Sequence, residues 1–268
     1  MSPSEVAGRP VGVFDSGVGG LSILAEIHRQ LPAESVVYVA DQAWAPYGGR
    51  TLDEVRARSV AIVEHLLSRD AKVIVVACNA ASAAALRDLR RLFPAVPFVG
   101  MEPAVKPAAQ QTGRGVVGVL ATAATFQGEL YASVVDRHAN GVRIVECAGA
   151  GLVDLIEAGE LDGPAVEAAL RAHLTPMVEE GIDTLVLGCT HYPFIAGTLR
   201  SMLGDDIRLI DPAPAVARQL GNVLAMRDIA AVPGDGVTTL LTTGDPVRFA
   251  AQVHRLLGLA ERPDPATI

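Results

Sequence analysis

The sequence is poor in aromatic residues and in charge. Aromatic side chains make up 4% and charged ones 19% of its 268 residues, while half of the residues are hydrophobic. Such a composition indicates a packed core of Val, Leu, Ile and Ala, and it is too apolar for a disordered chain. The length suits two small domains or one large one.

Positive charge is scarce as well. A net charge of −8 excludes the usual nucleic-acid-binding protein, which needs a basic face, so we expect no nucleic-acid partner. Apolar runs such as Lys72–Ala77 are far shorter than the ~20 residues that a membrane span needs, so we expect no membrane partner. Met1–Pro10 lacks the pattern of a secretory signal. The three cysteines are therefore expected to be reduced thiols in a cytoplasmic protein.

Short β-branched runs alternate with helical patterns along the chain. The predicted strands are Val11–Phe14, Ser35–Ala40, Val73–Ala77, Val96–Gly100, Val116–Leu120, Val142–Glu146, Thr184–Gly188 and Ile207–Ile210. The predicted helices are Gly20–Gln30, Thr51–Ser68, Ser82–Phe93, Ala124–His138, Pro164–Glu180, Phe194–Leu203, Ala215–Met226 and Asp245–Leu257. Continuous apolar runs are typical of parallel strands covered on both faces. The alternation predicts an α/β fold.

Two strand ends recur at a similar offset along the chain. Val73–Cys78 resembles Thr184–Cys189, since each is an apolar strand that ends at a cysteine followed by a polar residue. Val11–Ser16 resembles Val117–Thr122 at nearly the same offset. The sequence therefore predicts two related halves.

The distinctive segments all follow predicted strands. They are Asp15–Gly20, Asp41–Gly48, Cys78–Ser82 and Cys189–Pro193. In open α/β sheets, ligands bind at the carboxyl ends of the strands, where loops lead into helix N-termini. We therefore expect these four segments to meet at one cleft.

Cys78 and Cys189 both precede predicted helices, whose dipoles should lower the thiol pKa and favour the thiolate. Two thiols at matching positions suit racemisation. One base removes the α-proton from one face, the other group protonates the opposite face, and the roles exchange in reverse. N–H groups at helix N-termini would stabilise the substrate carboxylate in the carbanion-like transition state.

Four segments, in this order and spacing, resemble the glutamate racemase family. They are Phe14–Gly20, Pro46–Gly48, Cys78–Ser82 and Gly188–Pro193, within a resemblance running from about Val11 to about Leu224. The resemblance implies two mainly parallel-sheet α/β domains related by a pseudo-twofold, with the active site between them. It implies no pyridoxal phosphate and no metal, and D-glutamate supplied for bacterial peptidoglycan.

The expected first domain is residues 1–100 plus 211–268, with Asp15 and Cys78. The expected second domain is residues 101–210, with Cys189. The small-molecule partner implied by the resemblance is glutamate, and we expect a homodimer. Aspartate stays open as the substrate, because aspartate racemases share the twin-cysteine plan.

The resemblance also assigns roles to residues. Cys78 would act on the D-enantiomer and Cys189 on the L-enantiomer, with His191 assisting Cys189. The implied substrate-binding residues are Asp15, Ser16, Tyr47, Gly48, Asn79, Ala80, Thr190 and His191. Asp15 would hold the substrate ammonium or orient Cys78, and Asp41 and Glu157 resemble auxiliary carboxylates.

One position departs from the family. Ala80 stands where the family usually has Thr or Ser, so a hydroxyl donor to the substrate is missing and the backbone N–H is left to serve. Cys147 has no such motif around it, and we expect a buried, inert thiol. The five histidines other than His191 fall in helical patterns and are expected at the surface or in packing.

Other functions are compatible with parts of this pattern. A dinucleotide-binding protein would use Gly17 and Gly19 with Asp41, but Ser22 stands at the third glycine position and both cysteines stay unexplained. An amino-acid-binding module would share the cleft, but it usually carries a secretion signal.

A thiol hydrolase would use Cys189 and His191, yet residues two apart at such a turn need not come within hydrogen-bond reach, and Cys78 has no role. A zinc site of Cys78, Cys189 and His191 lacks a fourth ligand.

Overall fold

A computed structural model describes residues 3–268, which form two sheets of parallel strands flanked by helices. The strands are β1 Val11–Asp15, β2 Val36–Ala40, β3 Val73–Val76, β4 Phe98–Val99, β5 Val116–Ala121, β6 Arg143–Ala148, β7 Thr184–Gly188, β8 Arg208–Ile210, β9 Thr238–Thr242 and β10 Asp264–Pro265. All pairings between them are parallel. The predicted fold class, two mainly parallel α/β domains, is confirmed.

Twelve helices connect and cover the strands in the described part of the chain. They are α1 Pro3–Ala7, α2 Leu21–Gln30, α3 Leu52–Leu67, α4 Asn79–Leu92, α5 Val105–Gln111, α6 Ala123–Gln127, α7 Glu129–His138, α8 Leu152–Glu157, α9 Pro164–Glu179, α10 Ala196–Leu203, α11 Ala213–Met226 and α12 Pro246–Leu257. Short 3₁₀ turns occur at Tyr47–Gly49 and Tyr192–Ile195. None of the helices within residues 3–268 has the length and apolar character that crossing a membrane requires.

One strand order occurs in both sheets. The larger sheet runs β10-β9-β2-β1-β3-β4 and the smaller one β6-β5-β7-β8, so four strands of each follow the same sequence of crossovers. In this correspondence β1 matches β5 and β3 matches β7, which are the strands of the predicted repeat. The larger sheet takes strands from both ends of the chain and the smaller one from its middle. The domain limits given above stay a prediction.

The parallel strands have continuous apolar sequences because they lie in the core. Every residue of β1, β2, β3 and β7 is buried, because helices cover both faces of each sheet. Aliphatic side chains dominate the three core clusters, as the low aromatic content predicts.

Helix ends follow local chemistry at two predicted positions. Thr51 and Glu54 form the capping box of α3, each side chain bonding the backbone N–H of the other residue. Asp245 caps α12 by accepting hydrogen bonds from the N–H groups of Val247 and Arg248.

Several predicted boundaries were wrong. Helix α4 begins at Asn79 rather than Ser82, so extended Cys78 becomes its N-cap residue. The helix predicted over 124–138 is divided at Gly128, whose extended backbone passes so close to Ala83 that a Cβ atom would lie 2.5 Å from it. Strand β9 and helices α5 and α8 were not predicted.

Candidate active site

A small cavity lies where strands of both sheets end. Nine residues predicted for the site line it: Ser16, Tyr47, Gly48, Cys78, Asn79, Ala80, Cys189, Thr190 and His191. Its volume of about 20 Å³ holds one water molecule, which is far less than an amino acid occupies. Asp15, Asp41 and Glu157 lie outside the lining.

The two thiols occupy equivalent places. Cys78 follows β3 and Cys189 follows β7, the corresponding strands of the two sheets. Both are 5–6% exposed and both line the cavity. The geometry thus brings one thiol from each half to a single enclosed space.

Cys78 sits in a setting that favours the neutral thiol. Burial raises its pKa well above the ordinary value, and the nearby carboxyl of Asp15 raises it further. Backbone hydrogen bonds from Ala81 and Ser16 act in the opposite direction but do not compensate. The expectation that a helix N-terminus lowers the pKa of this thiol was therefore wrong, because desolvation outweighs the helix dipole.

Cys189 faces a histidine that is held by a carboxylate. Its Sγ lies 3.6 Å from Nδ1 of His191, and Nε2 of His191 lies 2.7 Å from Oε1 of Glu157. Burial lowers the pKa of His191, but its hydrogen bonds to Cys189 and Glu157 prevail and raise it well above the ordinary value. The side chains two positions apart are thus within reach of each other, which removes one argument against a thiol hydrolase.

Glu157 is itself fixed as a carboxylate. Burial raises its pKa, but hydrogen bonds from His191 and from the N–H of Val18 outweigh burial and lower it overall. Gln252 of α12 donates to the Glu157 backbone oxygen at 2.6 Å, and Gln42 bonds both Gln252 and the Glu157 carboxylate. Gln42 and Gln252, which belong to the half with the larger sheet, therefore position Glu157, which belongs to the half with the smaller sheet.

The glycines after β1 make close approach between the halves possible. A Cβ atom on Gly17 would lie 1.9 Å from Oε1 of Glu157, and one on Gly19 would lie 2.4 Å from both His191 and Thr190. Only glycine leaves room for these side chains. The loop thus packs against protein rather than forming an open phosphate cradle.

Asp15 does not line the cavity but is bonded to a lining residue, Thr190. It is fully buried, accepts a hydrogen bond from the N–H of Gly17 at 3.0 Å, and receives the hydroxyl of Thr190 at 3.3 Å. Desolvation raises its pKa, although His191 and backbone donors oppose this. Asp15 therefore joins the two halves and influences Cys78.

Asp41 lies behind Tyr47, which lines the cavity. Its carboxylate accepts two hydrogen bonds from Arg58 and one each from Tyr47 and Thr243. Four donors fill the lone-pair sites of a carboxylate, so Asp41 has none left for a substrate or a ribose. This removes the acidic residue that a dinucleotide-binding protein would need.

The side-chain amide of Asn79 indicates that the cavity binds a polar ligand. Its side-chain amide is buried and lines the cavity, yet neither its oxygen nor its nitrogen has a hydrogen-bond partner among residues 3–268. An unsatisfied buried amide is costly unless a ligand pairs with it. The first-turn N–H groups of α4, at Asn79 and Ala80, lie at the same wall.

Four lining residues were not predicted as site residues: Pro46, Thr122, Thr125 and Val153. The internal repeat pointed to Thr122, because it occupies the place in the second half that Ser16 occupies in the first. No local pattern marks Val153, Gln42 or Gln252. No lysine or arginine lines the described cavity, and residues 3–268 contain no group of three His, Cys, Asp or Glu arranged to hold a metal ion.

Cys147 lies away from the cavity, in β6. It is half-buried rather than buried, with its Sγ 3.8 Å from Nδ1 of His173, and burial raises its pKa. The expected burial was therefore only partly right. The other histidines lie in helices, as predicted.

Comparison with known proteins agrees with this arrangement. The family model for Asp/Glu/hydantoin racemases matches residues 11–220. A glutamate racemase from Roseiflexus sp. is 51% identical over 99% of this chain and 98% of its own. The crystal structure of a glutamate racemase isoform from Bacillus anthracis has a TM-score of 0.89 at 33% identity, covering 98% of both chains. A Francisella tularensis glutamate racemase, solved with D-glutamate, has a TM-score of 0.86 at 28% identity, covering 97% of this chain and 98% of its own. This chain belongs to the Asp/Glu/hydantoin racemase family.

Proposed function

We propose that the protein is a glutamate racemase that interconverts L- and D-glutamate by a two-base thiol mechanism, without cofactor or metal. One observation carries the proposal. A thiol from each half, at the same topological position, lines one small cavity. The names of the relatives and the D-glutamate bound to the Francisella protein support glutamate as the substrate.

In the L-to-D direction Cys189 is the base. The Cys189 thiolate, beside the His191 imidazole that Glu157 holds, takes the α-proton and becomes a thiol. The electron pair of the broken C–H bond stays on the α-carbon. It then takes the proton of the Cys78 thiol on the opposite face, which leaves a thiolate at Cys78.

In the D-to-L direction the two groups exchange roles. The raised pKa of Cys78 suits it as the acid in the first direction and makes its thiolate a strong base in the second. Returning to the starting state requires only a proton transfer between the two thiols. Chemically identical groups suit this exchange.

Substrate recognition relies on neutral donors. The hydroxyls of Ser16, Thr122 and Thr190 and the amide of Asn79 surround the cavity. The first-turn N–H groups of α4 face the same space and would stabilise the substrate carboxylate as negative charge spreads onto it. We expect this space to widen when substrate enters, because about 20 Å³ does not hold an amino acid.

The direct test uses protein dialysed against a chelator and incubated separately with L-glutamate and L-aspartate. We expect chiral chromatography to show D-glutamate approaching an equal mixture, with far less D-aspartate. Preferential turnover of aspartate would identify aspartate, rather than glutamate, as the substrate. Activity that appears only after pyridoxal phosphate is added would refute the cofactor-independent mechanism.

A thiol hydrolase is the second candidate, because Cys189, His191 and Glu157 form a connected thiol, imidazole and carboxylate series. The two candidates differ in their need for Cys78. A hydrolase would keep its activity in Cys78→Ala, whereas a racemase would lose it.

The resemblance also leads us to propose a cytoplasmic homodimer that supplies D-glutamate for peptidoglycan. Rescue of a bacterium that requires D-glutamate would test the role in the cell. Light scattering coupled to size-exclusion chromatography would test the dimer.

A further inference from the structure

A continuous series of polar contacts joins the C-terminal segment to the cavity wall. Arg58 Nη1 donates to the backbone oxygen of Ile268 at 2.6 Å. Its Nε and Nη2 atoms donate to the two carboxylate oxygens of Asp41 at 2.8 and 2.6 Å. The Tyr47 hydroxyl donates to the same carboxylate at 2.5 Å. Tyr47 lines the cavity together with Pro46 and Gly48.

The contacts on Asp41 are buried and mutually dependent, and the Arg58–Ile268 contact at their edge is part-buried. Asp41 is fully buried, Tyr47 is 1% exposed and Arg58 is 8% exposed. A buried carboxylate needs its cation and its hydrogen-bond donors together, because losing one leaves charge without compensation. The paired, parallel bonds from Arg58 also fix the direction of the Asp41 carboxylate, and thus the place of the Tyr47 hydroxyl.

The C-terminal segment is anchored independently of Arg58. Strand β10 extends the larger sheet beside β9, and the N–H of Ala266 donates to the oxygen of Thr242 at 2.7 Å. Ile268 also packs against a core cluster. The oxygen that Arg58 contacts is therefore held by the sheet rather than by a free chain end.

The wall that Tyr47 supports touches the other half of the molecule. A Cβ atom on Gly48 would lie 3.0 Å from Cβ of Thr122, which follows β5 of the smaller sheet. The segment Pro46–Gly48 thus stands between the two halves at the cavity. A shift of this wall therefore changes the shape of the space that would hold a substrate.

We propose that Arg58 and the segment Asp264–Ile268 are positioning elements that fix the Tyr47 wall and thereby set the affinity for substrate. The proposal rests on the proposed racemase activity. Neither element touches the cavity, so both act through Asp41. A wall that contacts the substrate in the ground state and in the transition state stabilises both equally. Displacing the wall therefore raises KM and leaves kcat nearly unchanged.

The experiment compares four variants with the full chain at 25 °C, and two of them are controls. A chain ending at Pro263 removes the Ile268 contact but keeps Arg58 on Asp41. Arg58→Lys keeps the charge but loses the paired geometry. Arg56→Ala is one matched control, since Arg56 lies on the same helix and its partners, Asp53, Asp88 and the backbone oxygen of Ala84, are outside the series that reaches Tyr47. Thr267→Ala, at an exposed position of the C-terminal segment, is the second control.

We expect KM for glutamate to rise about tenfold in the shortened chain, the effect of losing roughly one charged hydrogen bond, with kcat changed less than about twofold. Arg58→Lys should raise KM in the same way, and Arg56→Ala and Thr267→Ala should match the unaltered protein. Trp44, the single tryptophan of the chain, lies with its ring 5.2 Å from the Arg58 guanidinium carbon. Its fluorescence should therefore change in the shortened chain and in Arg58→Lys, but not in the two controls.

Unchanged KM in both test variants, with only the melting temperature lowered, would mean a purely structural role and would overturn the proposal. A fall in kcat with constant KM would overturn it as well. Absence of racemisation in the unaltered protein would instead refute the proposed function, whatever the variants do.

Discussion

Nε2 of His191 lies 2.7 Å from Oε1 of Glu157, and this contact makes the two cysteines of the cavity unlike. Cys189 has a carboxylate-held imidazole beside it, while Cys78 has the buried carboxyl of Asp15 in its vicinity. The repeat explains the difference, because Ala80 stands in the first half where His191 stands in the second. The two halves share a topology but not an electrostatic environment.

The first prediction concerns pH. His191 has a raised pKa partly because of Glu157, so its cationic form persists to higher pH and is lost as pH rises through that pKa. Glu157→Gln removes the negative partner and lowers the His191 pKa. The alkaline limb of kcat for L-glutamate should therefore move to lower pH. The measurement is a pH profile of the L-to-D reaction, with exposed Glu160→Gln as control, and an unmoved alkaline limb would contradict the assigned pairing.

The second prediction concerns the loop after β1. In Gly19→Ala the new Cβ atom would lie 2.4 Å from His191 and Thr190 side chains, so those side chains must move. We expect kcat/KM to fall at least tenfold and stability to fall by about 1–3 kcal/mol, as for other overpacked sites. Gly197→Ala is the control, because its Cβ atom meets nothing within 4 Å in helix α10. Racemisation assays and thermal unfolding measure both, and wild-type activity in Gly19→Ala would show that the loop tolerates a side chain.

Much of the site could be predicted from sequence because of where parallel α/β folds place ligands. Ser16, Cys78 and Cys189 each follow a buried strand, and the carboxyl ends of such strands meet at one edge. Local patterns therefore identified residues that lie far apart in the chain. The repeat also marks Thr122, which occupies the place in the second half that Ser16 occupies in the first.

The remaining features depend on contacts that no local pattern records. Arg58 and Gln252 lie on helices and reach the site through residues distant in sequence. The pKa of Cys78 is likewise a tertiary property, since the helix dipole is visible in the sequence but burial near Asp15 is not. Strand β9 escaped prediction because three of the five residues of Thr238–Thr242 are threonine, which leaves no continuous apolar run, and because the strand follows a turn-rich stretch.

The third prediction tests the missing hydroxyl at position 80. Ala80 is buried at the cavity wall beside the unpaired amide of Asn79. If the substrate lacks a donor there, Ala80→Thr should lower KM for glutamate by a few-fold up to about tenfold, since a neutral hydrogen bond contributes roughly 0.5–1.5 kcal/mol. Steady-state kinetics with both enantiomers measure this. A loss of activity would mean that the pocket has repacked around alanine.

The fourth prediction compares the three thiols. Cys78→Ala and Cys189→Ala should each abolish racemisation, because the remaining thiol serves one face of the α-carbon only. Cys147→Ala should leave activity nearly intact, since Cys147 lies in β6 away from the cavity. Chiral chromatography after long incubation gives the rates. Wild-type racemisation in either of the first two variants would end the two-base model.

The last prediction separates the two thiols by the face on which each acts. A substrate analogue with a leaving group on the β-carbon needs only one base, because loss of the α-proton expels the leaving group without a second acid. Serine is a much poorer base than a thiolate at neutral pH, since a hydroxyl ionises far above the thiol's reference pKa near 8.5.

Cys189→Ser should therefore still eliminate from the D-form of such an analogue through Cys78, and Cys78→Ser from the L-form through Cys189. Burial disfavours the Cys78 thiolate by raising the pKa of Cys78, whereas Cys189 has the His191 imidazole 3.6 Å away, so elimination from the L-form should be the faster reaction. The measurement is the elimination rate of each enantiomer with each variant. If both variants prefer the same enantiomer, the thiols do not lie on opposite faces of the α-carbon, and the symmetric mechanism fails even though both line the cavity.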